Sequence, residues 1–300
     1  WGIVPQTLEG HVDSVKAIAI AQQDRVASAS VDQTVRIWDL TTGQCLKILK
    51  SHTGCVRKLT FIQNGNVLVT AAIHCIAQFW DVATGECLQT LAGHTDIDRV
   101  VIYVEDKMRI ATSFDSQVNL WDPTTGRCIQ TLKGHGGRVR AITSTHDGKM
   151  LATSSSDTTV QLWDLPSGKH LHRLQGHASS VRVIVFTHDG KMLASASTDG
   201  SMRLWDSHNG KCLHVLEGHT KEVTAAVFSP DDSVLASTSY DCTVRLWDPT
   251  SGQCLQAPKG HDGWVKSLAF TKNSKVLATG STDGHIQLWN VHTGQCLQTL

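Results

Sequence analysis

A repeat of 41 or 42 residues runs through the chain and limits its possible folds more than any other feature. Each copy carries a histidine, usually after glycine, and later a tryptophan, usually before aspartate. A unit of this length cannot cover both faces of a sheet by itself, so each unit needs neighbours. The period and the two marks are typical of four-stranded propeller blades. The histidines are His11, His52, His94, His135, His177, His219 and His261, and the tryptophans are Trp38, Trp80, Trp121, Trp163, Trp205, Trp247 and Trp289.

Each repeat contains four short segments with the character of β-strands. In the sixth copy these are residues 223–228, 234–239, 243–247 and 254–256, separated by turn residues such as Ser-Pro-Asp-Asp and Ser-Gly. No segment has the apolar pattern of a helix longer than one turn. We therefore expect an all-β fold, a seven-bladed β-propeller of four-stranded antiparallel blades, over residues 9–300.

Two segments compete for the fourth strand of blade seven. Residues 6–8 and residues 298–300 share the sequence Gln-Thr-Leu. The first segment follows Pro5, which lacks a backbone donor for a sheet ladder, so the C-terminal segment is favoured. Residues 1–8 are then a linker or an N-terminal edge strand.

The composition and the first residues give no support for nucleic-acid binding, membrane insertion or secretion. The 27 basic and 27 acidic residues balance, so charge gives no argument for a specific nucleic acid or a membrane surface. No apolar run is long enough for a membrane span, and the first residues lack the features of a signal peptide. We expect a cytoplasmic protein without membrane insertion, monomeric as an isolated domain.

Six of the nine cysteines occupy one repeat position, seven residues after the tryptophan. Equivalent positions in different blades are too far apart for disulfides, so reduced thiols in an intracellular compartment are expected. We interpret them as small buried hydrophobic residues. They are Cys45, Cys87, Cys128, Cys212, Cys254 and Cys296.

A second recurring set consists of hydrogen-bonding residues. The tryptophan donates, a serine or threonine accepts and donates, the histidine does the same, and an aspartate accepts last. Such a relay satisfies buried polar groups that would otherwise cost about 1–3 kcal/mol each. The predicted structural sets are His11, Ser28, Asp32, Trp38; His52, Thr70, Trp80; His94, Thr112, Asp115, Trp121; His135, Thr153, Asp157, Trp163; His177, Ser195, Asp199, Trp205; His219, Ser237, Asp241, Trp247; and His261, Thr279, Asp283, Trp289.

The same residue types make up a hydrolase triad, but the pattern argues against an enzyme. A nucleophile must be unique and exposed, whereas this set is repeated along the chain and its hydroxyl already holds a tryptophan. No G-x-S-x-G elbow is present. We expect no catalytic residues and no cofactor.

Blade two departs most from the pattern. Ser51 replaces the glycine and His74 stands in the aspartate position, so a weaker relay and a softer blade are expected. Cys55 and Cys75 add metal-capable side chains. His52 belongs to the relay, however, and adjacent His74 and Cys75 would point to opposite faces of a strand, so no metal site is expected.

These repeats resemble the WD-repeat family over almost the whole chain, because Gly-His, Trp-Asp and the relay residues recur together. The resemblance implies a seven-bladed propeller that serves as a binding platform, without catalysis. Its partner would be a protein or peptide ligand.

A narrower resemblance is to the C-terminal WD-repeat domain of fungal NOD-like receptors, the NACHT-type signalling ATPases. The segment DCTVRLWDPTSGQCL, the near-uniform period and Trp1 shortly before QTLEGH carry it. It implies a ligand-sensing domain of a larger intracellular signalling receptor. Cyanobacterial multi-repeat proteins share these features, and a general scaffold or adaptor in a multiprotein complex is the alternative. No P-loop motif lies in this sequence.

The resemblance places the ligand-reading positions on the top face, the side with the Gly-His and aspartate loops. The position after the first valine of each repeat is basic in five of six alignable copies, which suggests an acidic ligand. The alternative is that these charges only solvate strand ends. Exposed aromatic residues are typical binding hot spots. The candidates are Lys16, Arg57, Phe114, Arg138, Arg140, Arg182, Lys221, Tyr240, Trp264 and Lys266.

Overall fold

The computed structural model describes residues 7–21, 24–50, 54, 56–62, 65–72, 75–91, 101–104, 109–122, 125, 127–258 and 260–300. Side chains are not described for residues 57, 58, 75, 76, 91, 101–104, 109, 110 and 114. The described residues form strands and turns but no α-helix. None of them makes a helix long and apolar enough to cross a membrane.

In the described part of the chain, twenty-eight strands make seven antiparallel sheets of four consecutive strands each. The first three sheets are β1 (Val15–Ile20), β2 (Arg25–Ser30), β3 (Val35–Asp39), β4 (Cys45–Leu49); β5 (Val56–Ile62), β6 (Val67–Ala72), β7 (Cys75–Asp81), β8 (Cys87–Leu91); and β9 (Val101–Val104), β10 (Arg109–Phe114), β11 (Gln117–Trp121), β12 (Cys128–Lys133).

The last four sheets follow the same order. They are β13 (Val139–Ser144), β14 (Met150–Ser155), β15 (Val160–Asp164), β16 (Lys169–Leu174); β17 (Val181–Phe186), β18 (Met192–Ser197), β19 (Met202–Asp206), β20 (Cys212–Leu216); β21 (Val223–Phe228), β22 (Leu235–Ser239), β23 (Val244–Trp247), β24 (Cys254–Gln256); and β25 (Val265–Phe270), β26 (Val276–Ser281), β27 (Ile286–Asn290), β28 (Cys296–Thr299). The fold is the predicted seven-bladed all-β propeller of four-stranded antiparallel blades.

The chain divides into two compact units. The first holds the described residues of Trp1–Phe114 and Val118–Thr131, and the second holds Asp115–Gln117 and Leu132–Leu300. In each unit the core lies between neighbouring sheets. In the second unit, for example, Leu162 and Leu174 of blade four pack in one cluster with Phe186 and Trp205 of blade five. Because each sheet uses its neighbour's apolar side chains, a blade depends on the blades beside it.

The fourth strand of blade seven is the C-terminal segment that the sequence favours. Strand β28 pairs with β27, with Leu288 opposite Gln298. Residues 1–6, which contain most of the competing N-terminal segment, lie outside the described residues. The assignment of residues 1–8 as a linker or edge strand stays a prediction.

The interpretation of the repeated cysteines as buried residues is wrong. Each of the six begins the outermost strand of its blade, and five are exposed while Cys45 is half-buried. The outermost strand has no further strand beside it, so its alternating side chains stay open to solvent. The thiols form no disulfides among the described residues, and each donates to the carbonyl oxygen two residues later, for example from Cys254 to Gln256 at 3.4 Å.

Candidate functional site

The relay of blade six shows how the repeated polar residues are joined. The Trp247 indole Nε1–H donates to Ser237 Oγ at 2.9 Å, and the Ser237 hydroxyl lies 2.8 Å from His219 Nε2. His219 Nδ1 lies 3.0 Å from the Asp241 carboxylate, which also accepts the Thr220 N–H at 2.9 Å. These bonds tie the loop before β21 to β22, to the following loop and to β23. They fix the geometry of the top face, defined here as the loops before the first strand and between the second and third strands of each blade.

Four further blades bring together the predicted residues. Blades one, four and seven have every bond of the relay. Blade five differs at its end, where His177 Nδ1 is 3.5 Å from the Asp199 carboxylate and 3.1 Å from Ser201 Oγ. The sets are His11, Ser28, Asp32, Trp38; His135, Thr153, Asp157, Trp163; His261, Thr279, Asp283, Trp289; and His177, Ser195, Asp199, Trp205.

In blades two and three only the tryptophan end of the relay is described. Trp80 donates to Thr70 at 2.9 Å, and Trp121 donates to Thr112 at 2.8 Å. The predicted roles of His52, His74 and His94 fall outside the described residues. Asp115 is exposed, and its carboxylate lies 3.9 Å from the Arg138 guanidinium.

Burial lowers the pKa of three relay histidines, His135, His177 and His219, which favours the neutral ring beside an aspartate. Burial lowers the pKa of His219 below its ordinary value of 6.5, against the opposing effect of Asp241. Burial would raise the pKa of Asp241, but hydrogen bonds from the Thr243 side chain and the Thr220 amide lower it to about 2. The pKa shifts of His135 and His177 have the same direction and the same leading cause.

Sequence reasoning missed two further members of the relay. A second serine, two residues after the first, anchors the aspartate loop: Ser239 Oγ donates to the Lys221 carbonyl at 3.1 Å and accepts the Asp241 N–H at 3.0 Å. A hydroxyl two residues after the aspartate, Thr243, donates to Asp241 at 2.6 Å. The sequence does indicate both residues, because blades one, four, five and six share the spacing Ser/Thr-x-Ser-x-Asp-x-Ser/Thr.

The glycine before the histidine makes room for an arginine. Gly176 has φ +149, and a Cβ there would lie 2.7 Å from the Arg203 guanidinium. Arg203 lies over the Trp205 ring, 6.0 Å from its centroid, and donates to the Gly176 carbonyl at 2.9 Å. Any larger residue at this position would displace the arginine from the tryptophan.

The relays have the composition of a catalytic triad but not its accessibility. Ser195, Ser237 and Thr279 are at most 1% exposed, and each hydroxyl already binds a tryptophan and a histidine. A nucleophile needs an approach for substrate. The arrangement therefore stabilises loops.

Five of the seven basic candidates of the top face stand at β-bulges. In six first strands the ladder skips the residue after the initial valine, for example between Val181 and Val183. A bulged residue is left out of regular pairing, and its side chain is re-aimed. The skipped residues are Lys16, Arg57, Arg140, Arg182, Thr224 and Lys266.

The bulge residues differ in how their charges are balanced. The Arg182 guanidinium lies 3.1 Å from the Glu222 carboxylate, whereas Lys266 lies within 4.0 Å of no carboxylate of a described residue. Lys16 and Lys221 are exposed, and Arg140 is half-buried. Thr224 donates to the Val265 carbonyl of the next blade at 2.5 Å. The side chain of Arg57 is not described.

Two of the three aromatic candidates lie together. The Tyr240 and Trp264 ring centroids are 4.9 Å apart with the rings tilted by 46°. Trp264 is 49% exposed, and the Lys266 ammonium lies over its ring, 5.6 Å from the centroid. The side chain of Phe114 is not described.

The metal-capable residues of blade two cannot be placed. His52, Cys55 and His74 lie outside the described residues, as does the Cys75 side chain. Elsewhere in the described part of the chain, no group of three or more histidine, cysteine or acidic residues is arranged to hold a metal ion.

A concavity of about 800 Å³ lies between blades four and five, at the strand ends opposite the top face. Its lining includes Asp147 and Asp189, which pair with Lys149 at 3.1 Å and Lys191 at 3.0 Å. These two carboxylates of the concavity therefore already have basic partners.

Comparison with known proteins agrees with the repeat pattern. The family described as "WD domain, G-beta repeat" matches residues 2–39, 43–81, 85–122, 126–164, 168–206, 210–248 and 252–290. The computationally designed Ika8 protein superposes with a TM-score of 0.87 at 30% identity, covering 98% of this chain and 88% of that chain.

Two fungal relatives match over single stretches. The WD repeat-containing protein pop1 of Schizosaccharomyces pombe is 46% identical over 55 residues, 18% of this chain and 7% of that protein. The probable E3 ubiquitin ligase complex SCF subunit sconB of Arthroderma otae is 47% identical over 55 residues, 18% of this chain and 8% of that protein. The match thus spans less than a tenth of each relative.

Proposed function

The chain belongs to the WD-repeat family, and on that premise we propose that it is a non-catalytic platform whose top face binds a protein or peptide ligand. The observation that carries the proposal is the set of β-bulges. Each bulge frees one side chain from the sheet while the buried relay beside it fixes the loops. A rigid scaffold with variable loop-edge side chains is a general solution for recognition.

We propose further that the ligand-binding propeller belongs to a larger cytoplasmic signalling receptor and senses that receptor's ligand. The similarity of the repeats to fungal NOD-like receptors supports this function. A general scaffold or adaptor is the second candidate, supported by the SCF subunit among the similar proteins. A P-loop ATPase module encoded upstream of Trp1 would favour the receptor, and a different module would favour the adaptor.

Partner capture tests the binding function. The full 300-residue chain serves as bait, and a captured protein is identified, purified and titrated against the propeller. The quadruple variant Lys16→Gln, Arg140→Gln, Arg182→Gln, Lys266→Gln should weaken that binding by tenfold or more, because four charges leave the top face.

A matched control removes the same charge from the other end of the blades. Its substitutions are Lys149→Gln, Lys191→Gln, Lys272→Gln and Lys275→Gln, all in the turns between first and second strands. Affinity should stay within twofold of the wild type. Equal loss in both variants would show that only net charge matters, and no loss in the first would reject the top face as the binding surface.

A further inference from the structure

Side-chain and backbone contacts join top-face residues of blades five, six and seven into one surface, which we call the three-blade ridge: Arg182, Glu222, Tyr240, Trp264 and Lys266. Arg182 pairs with Glu222 at 3.1 Å, and the Glu222 carbonyl accepts the Tyr240 N–H at 3.0 Å. Tyr240 packs on Trp264, and Lys266 lies over the same indole. The ridge therefore presents charged and aromatic groups side by side.

Trp264 is held firmly although its ring is half exposed. The Trp264 backbone N–H donates to Thr282 Oγ1 at 2.9 Å, and the Trp264 backbone carbonyl accepts the Thr282 backbone N–H at 3.0 Å. Tyr240 and Lys266 restrict the indole further. A large ring that is already ordered loses little conformational entropy on binding, which is why such residues dominate interface energies.

The charge balance of the ridge selects the kind of ligand. The Arg182 charge is offset by Glu222, so Lys266 is its one cation without a carboxylate within 4.0 Å among the described residues. A phosphoryl group carries a charge of about −1.5 to −2 and is usually bound by several arginines. A single lysine beside an aromatic surface fits one carboxylate better.

We propose that the three-blade ridge binds a linear peptide segment in which a carboxylate lies next to an aromatic side chain. The aromatic ring packs on the exposed part of Trp264, and the carboxylate pairs with Lys266. This proposal rests on the proposed binding function and names the chemistry of its ligand. The carboxylate belongs either to an acidic side chain or to a peptide C-terminus, and the two sources are separable by experiment.

Fluorescence polarisation with dye-labelled peptides tests the proposal on the full chain. The probe is Gly-Ser-Glu-Phe-Ser-Gly with an amidated C-terminus. Replacing its Glu by Gln or its Phe by Ala should each weaken binding by about fivefold or more. The peptide Gly-Ser-Gln-Phe with a free C-terminus tests the other source of the carboxylate.

Protein variants assign the binding to the ridge. Trp264→Ala should weaken binding of the probe about tenfold and Lys266→Met about fivefold, while Lys272→Met, in the turn after β25, should leave it unchanged. Glu222→Gln should tighten binding, because it frees Arg182 for the acidic probe. A merely structural role of Glu222 would weaken binding instead, and thermal unfolding of each variant verifies that it folds.

The outcomes distinguish the proposed peptide ligand of the three-blade ridge from the proposed binding function of the top face. If neither peptide with a carboxylate and a phenylalanine binds, or if both bind equally well to Trp264→Ala, the ridge is not the site for this ligand. If a captured partner still depends on the four basic residues in that case, the proposed function stands and this inference falls. If that dependence is also absent, both are rejected.

Discussion

The Asp232 carboxylate of blade six accepts the backbone N–H of His188 in blade five at 2.8 Å. Its second oxygen accepts the Asp189 N–H at 3.2 Å, so one side chain joins the lower turns of two blades. A parallel link joins blades four and five, where the His146 and His188 rings stack at 4.9 Å. Neighbouring sheets in the second unit are thus connected by polar contacts as well as by apolar packing.

Asp232→Asn should destabilise the protein by about 1 kcal/mol, because an amide nitrogen cannot accept the second N–H. Asparagine tolerates the left-handed backbone at this position, where φ is +57, so strain should not contribute. Urea unfolding measures the change, with the exposed Glu217→Gln as the control. A stability equal to that of the wild type would show that the link between turns is energetically unimportant.

The hydrogen bond between Trp247 and Ser237 can be tested by mutation, and the other repeats of the chain indicate the control variant. Ser237→Ala leaves the Trp247 indole N–H without its acceptor in a fully buried place, so we expect a loss of about 1–3 kcal/mol in the free energy of unfolding. Ser237→Thr should lose far less, because Thr153 and Thr279 fill this position in blades four and seven. Equal losses for both variants would point to packing rather than to the hydrogen bond.

Acid should destabilise the protein in two stages. The folded-state pKa of His135, His177 and His219 is lowered, so the unfolded chain binds more protons, and stability falls as the pH drops below 6.5. The pKa of Asp199 and of Asp241 is lowered from 3.8 to about 2, so a second loss occurs between about pH 4 and pH 2.

Urea unfolding at intervals from about pH 8 to about pH 2 measures both stages. The variant His219→Gln removes one titrating ring and should reduce the slope between pH 7 and pH 5. A free energy of unfolding that rises over that interval would contradict the assignment of neutral buried histidines.

Blade two should exchange its amide hydrogens faster than blade six. His74 replaces the terminal aspartate, and Ala72 stands where Ser239 anchors the aspartate loop in blade six. We expect β6 to exchange about tenfold faster than β22, measured by hydrogen exchange and mass spectrometry. The double variant Ala72→Ser, His74→Asp should slow β6 towards β22. Equal protection of the two strands in the wild type would refute the softer blade.

The sequence predicts the strands closely because their pattern is local. In blade six the expected 223–228 and 254–256 coincide with β21 and β24, and the other two strands begin one residue later than expected. The relay residues were also predictable, since a buried indole, hydroxyl, imidazole and carboxylate have few ways to satisfy one another.

Three features could not be predicted because they depend on what lies beside each strand. The periodic position of Cys254 shows that it is equivalent to the other cysteines, but not that the outermost strand leaves it exposed. The bulge at Arg182 is a property of the ladder, and its pairing with Glu222 joins residues of adjacent blades. The repeat pattern predicted basic side chains after the initial valine in five of six copies, whereas a contact between blades decides that Arg182 is paired with an acidic side chain.

The bulge after each initial valine separates pairing within the sheet from contact with a ligand, whereas most strand positions combine the two. At Lys266 the ladder passes from Val265 to Ser267, so the side chain between them can change without altering the register or the buried valine. Random substitution at the skipped positions should therefore yield folded proteins with altered ligand preference. New specificity could arise there with little loss of stability, and the repeat offers the same opportunity once in each of six blades.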